Sequence, residues 1–245
     1  MEIIGSLLMS SIAGISTVLG CIFLFIKVKN HDKFVVFCLS TSLVIMLYLS
    51  VFELFPEAIK YLFTRNVYIT LPAIILVFLI GIVLVNIIDS NIKTEGNDLY
   101  KLGLLNMIAL MLHNIPEGIA TFLSSIENPE LGIKLSLAIL FHNIPEGMSI
   151  AIPIYYATNN RKKAVLYTFL SGISEPIGGF VSYIFLKSII SSTLISYILI
   201  FVCGIMITIS INEMLPRTLE YKQNKYLYIG IITGIIISIV NHFVN

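Results

Sequence analysis

Apolar runs of about 20 residues recur along the whole of this 245-residue chain. They lie near 4–26, 35–58, 68–88, 101–124, 132–156, 163–186, 193–216 and 226–244. At ~1.5 Å of rise per residue each run is long enough to cross ~30 Å of hydrocarbon as a helix. The expected fold is therefore an all-α membrane protein with eight transmembrane helices. Composition points the same way: 57% hydrophobic and 12% charged residues, with a mean hydropathy of +0.96, exclude an ordinary soluble domain. The connections are short, and only 89–100 reads as a polar loop of any size, so residues 1–245 are expected to form a single transmembrane domain. The first run lacks a basic leader and a small-residue cleavage site, and reads as a retained helix rather than a signal peptide. A net charge of +1 gives no global attraction to nucleic acid, and no basic cluster exceeds Arg161-Lys162-Lys163. Cys21, Cys38 and Cys203 all lie in apolar runs with no CxxC pair, and read as small buried hydrophobes.

Basic residues set the expected orientation. With the N-terminus outside, the cytoplasmic connections hold Lys27, Lys29, Lys33, Lys93, Lys101, Arg161, Lys162, Lys163, Arg217, Lys222 and Lys225. Lys60, Arg65, Lys134 and Lys187 remain outside. Eleven against four supports both termini outside, with the odd-numbered connections in the cytosol.

Inside two of these runs the same six residues occur twice, as His113-Asn114-Ile115-Pro116-Glu117-Gly118 and His142-Asn143-Ile144-Pro145-Glu146-Gly147. Helical positions i and i+4 share a face, so His113 stacks with Glu117 and His142 with Glu146. Each Asn is one residue round from its His and can flank the same cavity. Each proline lacks an N–H for the carbonyl four residues back, which frees Leu112 and Phe141 and predicts a kink beside each His. A lone His in an apolar segment is more often a hydrogen-bonded structural residue than a ligand. Two identical copies that carry ionisable pairs into hydrocarbon read otherwise. An intramembrane carboxylate costs at least ~2–3 kcal/mol and is functional by default. Imidazole, carboxylate and amide on a kinked helix make half a site for a divalent cation, and two such helices make a whole one.

Further acidic residues fall at telling depths. Glu175, before Pro176, is twelve residues from both Lys163 and Lys187, close to the bilayer centre, and is expected to be a third carboxylate on a kinked helix. His113 lies twelve residues beyond Lys101, and His142 eight beyond Lys134, so all three elements can meet near the midplane. Glu53-Leu54-Phe55-Pro56 is expected to close the second span, and Glu213-Met214-Leu215-Pro216 the seventh. Glu53 would face the outer half, with Asn212 and Glu213 facing the inner half. Either Glu could also be an ordinary interfacial residue. The echo suggests an inverted repeat, in which spans one to three mirror six to eight around a central pair, a 3+2+3 bundle. Gly172, Gly178 and Gly179 would allow close helix approach in span six, or would only pack against lipid.

The paired HNIPEG motifs, with Ser171-Gly172-Ile173-Ser174-Glu175-Pro176 downstream, resemble the ZIP (Zrt-, Irt-like protein) family of metal transporters. The ungapped form in both central spans is most similar to the family's bacterial ZupT-type branch, and the resemblance covers essentially the whole chain. It implies inward movement of divalent metal into the cytosol through a binuclear site between spans four, five and six, in a plasma (bacterial inner) membrane. On the family pattern His113, Glu117, His142, Glu146 and Glu175 map onto one metal position. Asn114, Asn143 and the same three glutamates map onto the adjacent one. Glu53 matches an acidic residue of span two, and Asn212-Glu213 a polar pair of span seven. Many members carry a His-rich segment after span three, and 89–100 has no histidine, so no metal-sensing role is expected of that loop. A homodimer and a moving-bundle carrier are expectations from the resemblance alone.

Three glutamates cannot sit ionised and unpaired together in low dielectric. Two dications would offset three carboxylates with one charge to spare, and an empty site is expected to hold protons that metal displaces. Without thiolate, the donor set suits Zn2+, Fe2+, Mn2+, Co2+ and Cd2+ better than Cu+. The rival reading is an intramembrane metal-dependent hydrolase. Against it, the chain has no HExxH and no further histidine expected near the site: His31 is in a loop and His242 at the C-terminal end.

Overall fold

The computed structural model describes residues 2–63, 67–92, 97–185 and 192–244. Arg65, Lys93 and Lys187, which entered the charge balance, lie outside the described residues. Among the described residues there is no strand, and eight helices are long and apolar enough to cross a membrane. They are α1 (Ile3–Phe25), α2 (His31–Leu62), α3 (Val67–Asn91), α4 (Asp98–Ile126), α5 (Gly132–Thr158), α6 (Arg161–Phe185), α7 (Thr193–Glu220) and α8 (Asn224–His242). Asn30, Asn97 and Asn160 begin α2, α4 and α6, each accepting a hydrogen bond from the backbone N–H three residues on, as a good N-cap does. On α1 the exposed residues Ile4, Leu8, Ile12, Ile15, Leu19 and Ile22 recur every three or four positions, a stripe for lipid.

Four connections meet at one face of the bundle. The Lys33 ammonium sits 5.3 Å from the centre of the Tyr226 ring, and the Arg161 guanidinium 5.3 Å from that of Phe25. Lys163 lies 4.3 Å from the Tyr100 ring, and Arg217 Nη1 is 2.9 Å from Asp98 Oδ2. The connections after α1, α3, α5 and α7 thus share a side, as an even number of crossings requires.

The packing follows the expected repeat. The central pair α4 and α5 pack on each other; α6 lies against α4, α1 against α5, and the outer pairs are α2 with α8 and α3 with α7. Exchanging α1–α3 with α6–α8, and α4 with α5, leaves this pattern unchanged. Particular residues keep the same correspondence. A Cβ added at Gly178 would come within 2.2 Å of Ile115 O, and one at Gly20 within 2.6 Å of Ile144 O. These glycines therefore admit neighbouring backbone, and do not merely face lipid.

Two boundaries differ from expectation. Pro56 and Pro216 do not close their spans: α2 runs on to Leu62 and α7 to Glu220. A π-helical turn precedes each proline, at Leu49–Leu54 and Ser210–Met214. There Phe55 N–H bonds Ser50 O and Leu215 N–H bonds Ser210 O, five residues back. The extra residue absorbs the register that a proline without N–H would otherwise break.

Candidate metal centre

The bundle axis brings seven of the expected residues together. His113, Asn114 and Glu117 come from α4, His142, Asn143 and Glu146 from α5, and Glu175 from α6, all between 0% and 7% exposed. Glu117 Oε1 lies 3.0 Å from Nε2 of both His113 and His142, and His113 Nε2 is 3.6 Å from Glu146 Oε1. One donor atom each of His113, His142 and Glu146 fall within 4.8 Å of one another. A tetrahedral ion with bonds of ~2.1 Å needs only a modest further closure.

Glu175 reaches the cluster because α6 is interrupted. Its helix runs Arg161–Gly172, pauses at Ile173 and resumes Ser174–Phe185. Pro176 has no N–H for Gly172 O, so the expected distortion falls just before the carboxylate. The two Asn side chains tie the helices down. Asn114 Nδ2 donates to Ser171 O (3.1 Å), and Asn143 Nδ2 donates both to Ala13 O (2.9 Å) and to Glu175 Oε2 (2.9 Å).

What these bonds leave over is a set of acceptors. Asn114 Oδ1, Asn143 Oδ1, Glu117 Oε2, both oxygens of Glu146 and Glu175 Oε1 are buried without a hydrogen-bond partner among the described residues. Buried polar atoms are almost always paired, and orphaning one costs about 1–3 kcal/mol. Carboxylate and amide oxygens buried beside two imidazoles are a donor set that a cation could satisfy.

The ZIP zinc transporter family profile matches residues 90–241. The chain is 35% identical to the zinc transporter ZupT of Streptococcus mutans over 255 residues, covering 96% of this chain and 95% of that one. It is 33% identical to the zinc transporter ZupT of Clostridium perfringens (98% and 95% covered) and 36% identical to that of Oceanobacillus iheyensis (96% and 95%). The chain belongs to the ZIP family. It is a multi-pass plasma membrane protein and a divalent-metal transporter, not an enzyme, so the hydrolase reading is set aside.

The centre of this ZIP transporter is reached by a cavity on one side. A cavity of about 640 Å³ opens away from the basic face and is lined by Phe52, Glu53, Glu57, Lys134 and His242, with Glu117 and His142 at its floor. Glu53 is half-buried there, and its ionisable neighbours are His142, His242 and Glu117. His242 therefore corrects the expectation that no further histidine approaches the site. It stands 100 residues beyond His142, on a different span, and no local spacing could have placed it. Toward the basic face Leu105, Leu110, Ile150 and Ile154 are packed into the apolar core. Beyond them Lys101 pairs with Asp89 (2.6 Å) and Arg217 with Asp98 (2.9 Å). Glu213 lies among these four charges, and Asn212 is exposed. The echo of Glu53 and Glu213 is thus a pair of equivalent positions, one in an open cavity and one in a tied set of ion pairs.

Proposed function

We propose that this ZIP transporter carries Zn2+ into the cytosol through a binuclear centre at the bundle midplane. His113, His142, Glu117, Glu146 and Glu175 hold one ion. Asn114, Asn143 and the same glutamates hold the second, with the carboxylates bridging. Glu53 takes metal from the outer cavity, and Asn212 and Glu213 mark the inner exit. The zinc transporter names of the relatives favour Zn2+. The donor set also admits Fe2+, Mn2+, Co2+ and Cd2+. The observation that carries this reading is the group of buried oxygens left without partners around two imidazoles, at the floor of a cavity.

The same geometry supports proton release on metal binding. His142 Nε2 and Glu117 Oε1 are 3.0 Å apart, and a hydrogen bond there requires a proton on one of them. Metal ligation needs Nε2 bare: a proton on the Glu117 carboxyl, or the second proton of an imidazolium, leaves as the ion arrives, whereas the single proton of a neutral imidazole shifts to Nδ1. Protons then compete with metal, and uptake falls as pH is lowered. A rate that stayed flat from about pH 5.5 to 8, across the histidine reference value of ~6.5, would show that no such exchange occurs.

The deciding experiment is Zn2+ influx into proteoliposomes with a zinc-sensitive dye inside. Unmodified protein is expected to give saturable influx, and Glu146→Ala and Glu175→Ala to abolish it. Zn2+ binding that requires His113 and His142, without influx from well-folded protein, would overturn the transport pathway while leaving the site.

A further inference from the structure

We propose that Thr17 is the counterpart of Glu175 in the inverted repeat, and that its hydroxyl holds a water in the second ion's coordination sphere beside Asn114. The proposal rests on the two-ion reading above and adds to it a residue from α1.

The correspondence is read from contacts. Gly14 and Gly172 meet reciprocally: a Cβ on either would come within 2.4 Å of the other's carbonyl oxygen. The repeat axis therefore passes between them, and the offset from α1 to α6 is 172 − 14 = 158 positions. Adding 158 takes Ala13 to Ser171, Thr17 to Glu175 and Gly20 to Gly178. Each pair behaves alike. Ala13 O accepts from Asn143 (2.9 Å), and Ser171 O from Asn114 (3.1 Å). A Cβ on Gly147 would lie 1.8 Å from Thr17 O, and one on Gly118 lies 1.8 Å from Glu175 O. The side chains start in matching places too. Glu175 Cβ is 3.0 Å from a Cβ built on Gly14, and Thr17 Cβ is 3.2 Å from one built on Gly172. Glu175 leaves this position to meet Asn143 at 2.9 Å, so the repeat directs Thr17 toward Asn114.

Thr17 is fully buried, and its hydroxyl has no partner among the described residues. A helical threonine usually turns its Oγ1 back to a carbonyl one turn earlier, as Thr41, Thr168, Thr208 and Thr218 do here. Thr17 does not. Asn114 Oδ1, on the same side of the centre, is likewise unpartnered. A threonine side chain stops two bonds short of where a glutamate carboxylate ends, so Thr17 falls short of direct ligation. A hydroxyl both donates and accepts, which suits a water placed between it, Asn114 and the ion.

The test is metal titration of the purified full chain with Zn2+ and Co2+, read as ions bound per chain, affinity and the Co2+ absorption spectrum. Thr17→Val removes the hydroxyl and keeps the shape; Thr17→Ser keeps the hydroxyl. In Thr17→Val the second ion is expected to bind roughly tenfold more weakly, the scale of one lost polar contact, with a changed Co2+ spectrum and an unmoved metal-free melting point. Thr17→Ser is expected to restore both. If Thr17→Val does not fold, Thr17→Ala carries the same expectation. Two ions in the unmodified chain with undiminished binding in Thr17→Val overturns the role of Thr17 alone, as does equal loss in Val and Ser. A single ion in the unmodified chain, lost in His113→Ala, overturns the two-ion reading and this proposal with it.

Discussion

Glu146 places both carboxylate oxygens at the bundle centre, fully buried and without a hydrogen-bond donor. A charge there costs at least ~2–3 kcal/mol by insertion scales, and a cation is what offsets it. Removing the charge while keeping the shape should separate stability from function. Glu146→Gln is expected to raise the metal-free melting point in detergent by ~2–4 °C per kcal/mol relieved. It should also abolish the further stabilisation that Zn2+ gives, about 2.7 kcal/mol at a hundredfold excess over Kd. Thermal melts with and without Zn2+ check this; a lower metal-free melting point, or an unchanged zinc shift, would mean the carboxylate is structural. At this scale the sequence was readable where chemistry repeats. Two identical hexapeptides give away His113, Asn114, Glu117 and their mates, because ionisable groups in hydrocarbon have no cheap reason to be there. Thr17 and His242 were not readable. Threonine is ordinary in an apolar helix, and its meaning here comes only from the position of Glu175 across the repeat.

Helices in this bundle approach one another through glycines, and the motif's last residue serves packing more than ligation. Gly118 faces Glu175 O and Gly147 faces Thr17 O, where a Cβ would lie only 1.8 Å away. Neither contact can give, because each is backbone against backbone. Gly118→Ala or Gly147→Ala should therefore push α6 or α1 outward, at the upper end of the ~1–3 kcal/mol that overpacking costs, and abolish uptake with all the proposed metal ligands intact. Gly5→Ala, with open space around it, should leave uptake and melting unchanged. Transport assays beside melting curves decide the matter: a fully active Gly118→Ala would show that the contact between α4 and α6 is not needed. Helix count and span centres followed from hydrophobic runs alone. Helix ends in α2 and α7 did not, since a proline reads as a stop unless a π turn precedes it, and that turn is a tertiary choice. Ser50 shows the context: its carbonyl accepts the Cys203 thiol of α7 as well as the Phe55 N–H of the π turn.

For the molecule as a whole, the repeat makes two corresponding halves that differ in access. On one side the position of Glu53 opens into a cavity of about 640 Å³; on the other the position of Glu213 is closed among Lys101, Asp89, Arg217 and Asp98. Corresponding halves with opposite access fit a carrier that exposes its centre alternately, whichever side the open half faces. The excess of basic residues on the closed face predicts that this face lies in the cytosol. Three native cysteines, all buried, leave a quiet background for testing this. Lys134→Cys stands at the cavity rim and Lys162→Cys at the basic face, both at exposed positions. In intact cells a membrane-impermeant maleimide is expected to label Lys134→Cys at once and Lys162→Cys only after permeabilisation. Excess Zn2+ should slow labelling of Ala120→Cys, which lines the same cavity nearer the proposed metal centre. Labelling of Lys162→Cys in sealed cells, with Lys134→Cys protected, would invert the molecule in the membrane. The open cavity would then be the exit, and metal would be drawn from it into the cytosol rather than captured outside.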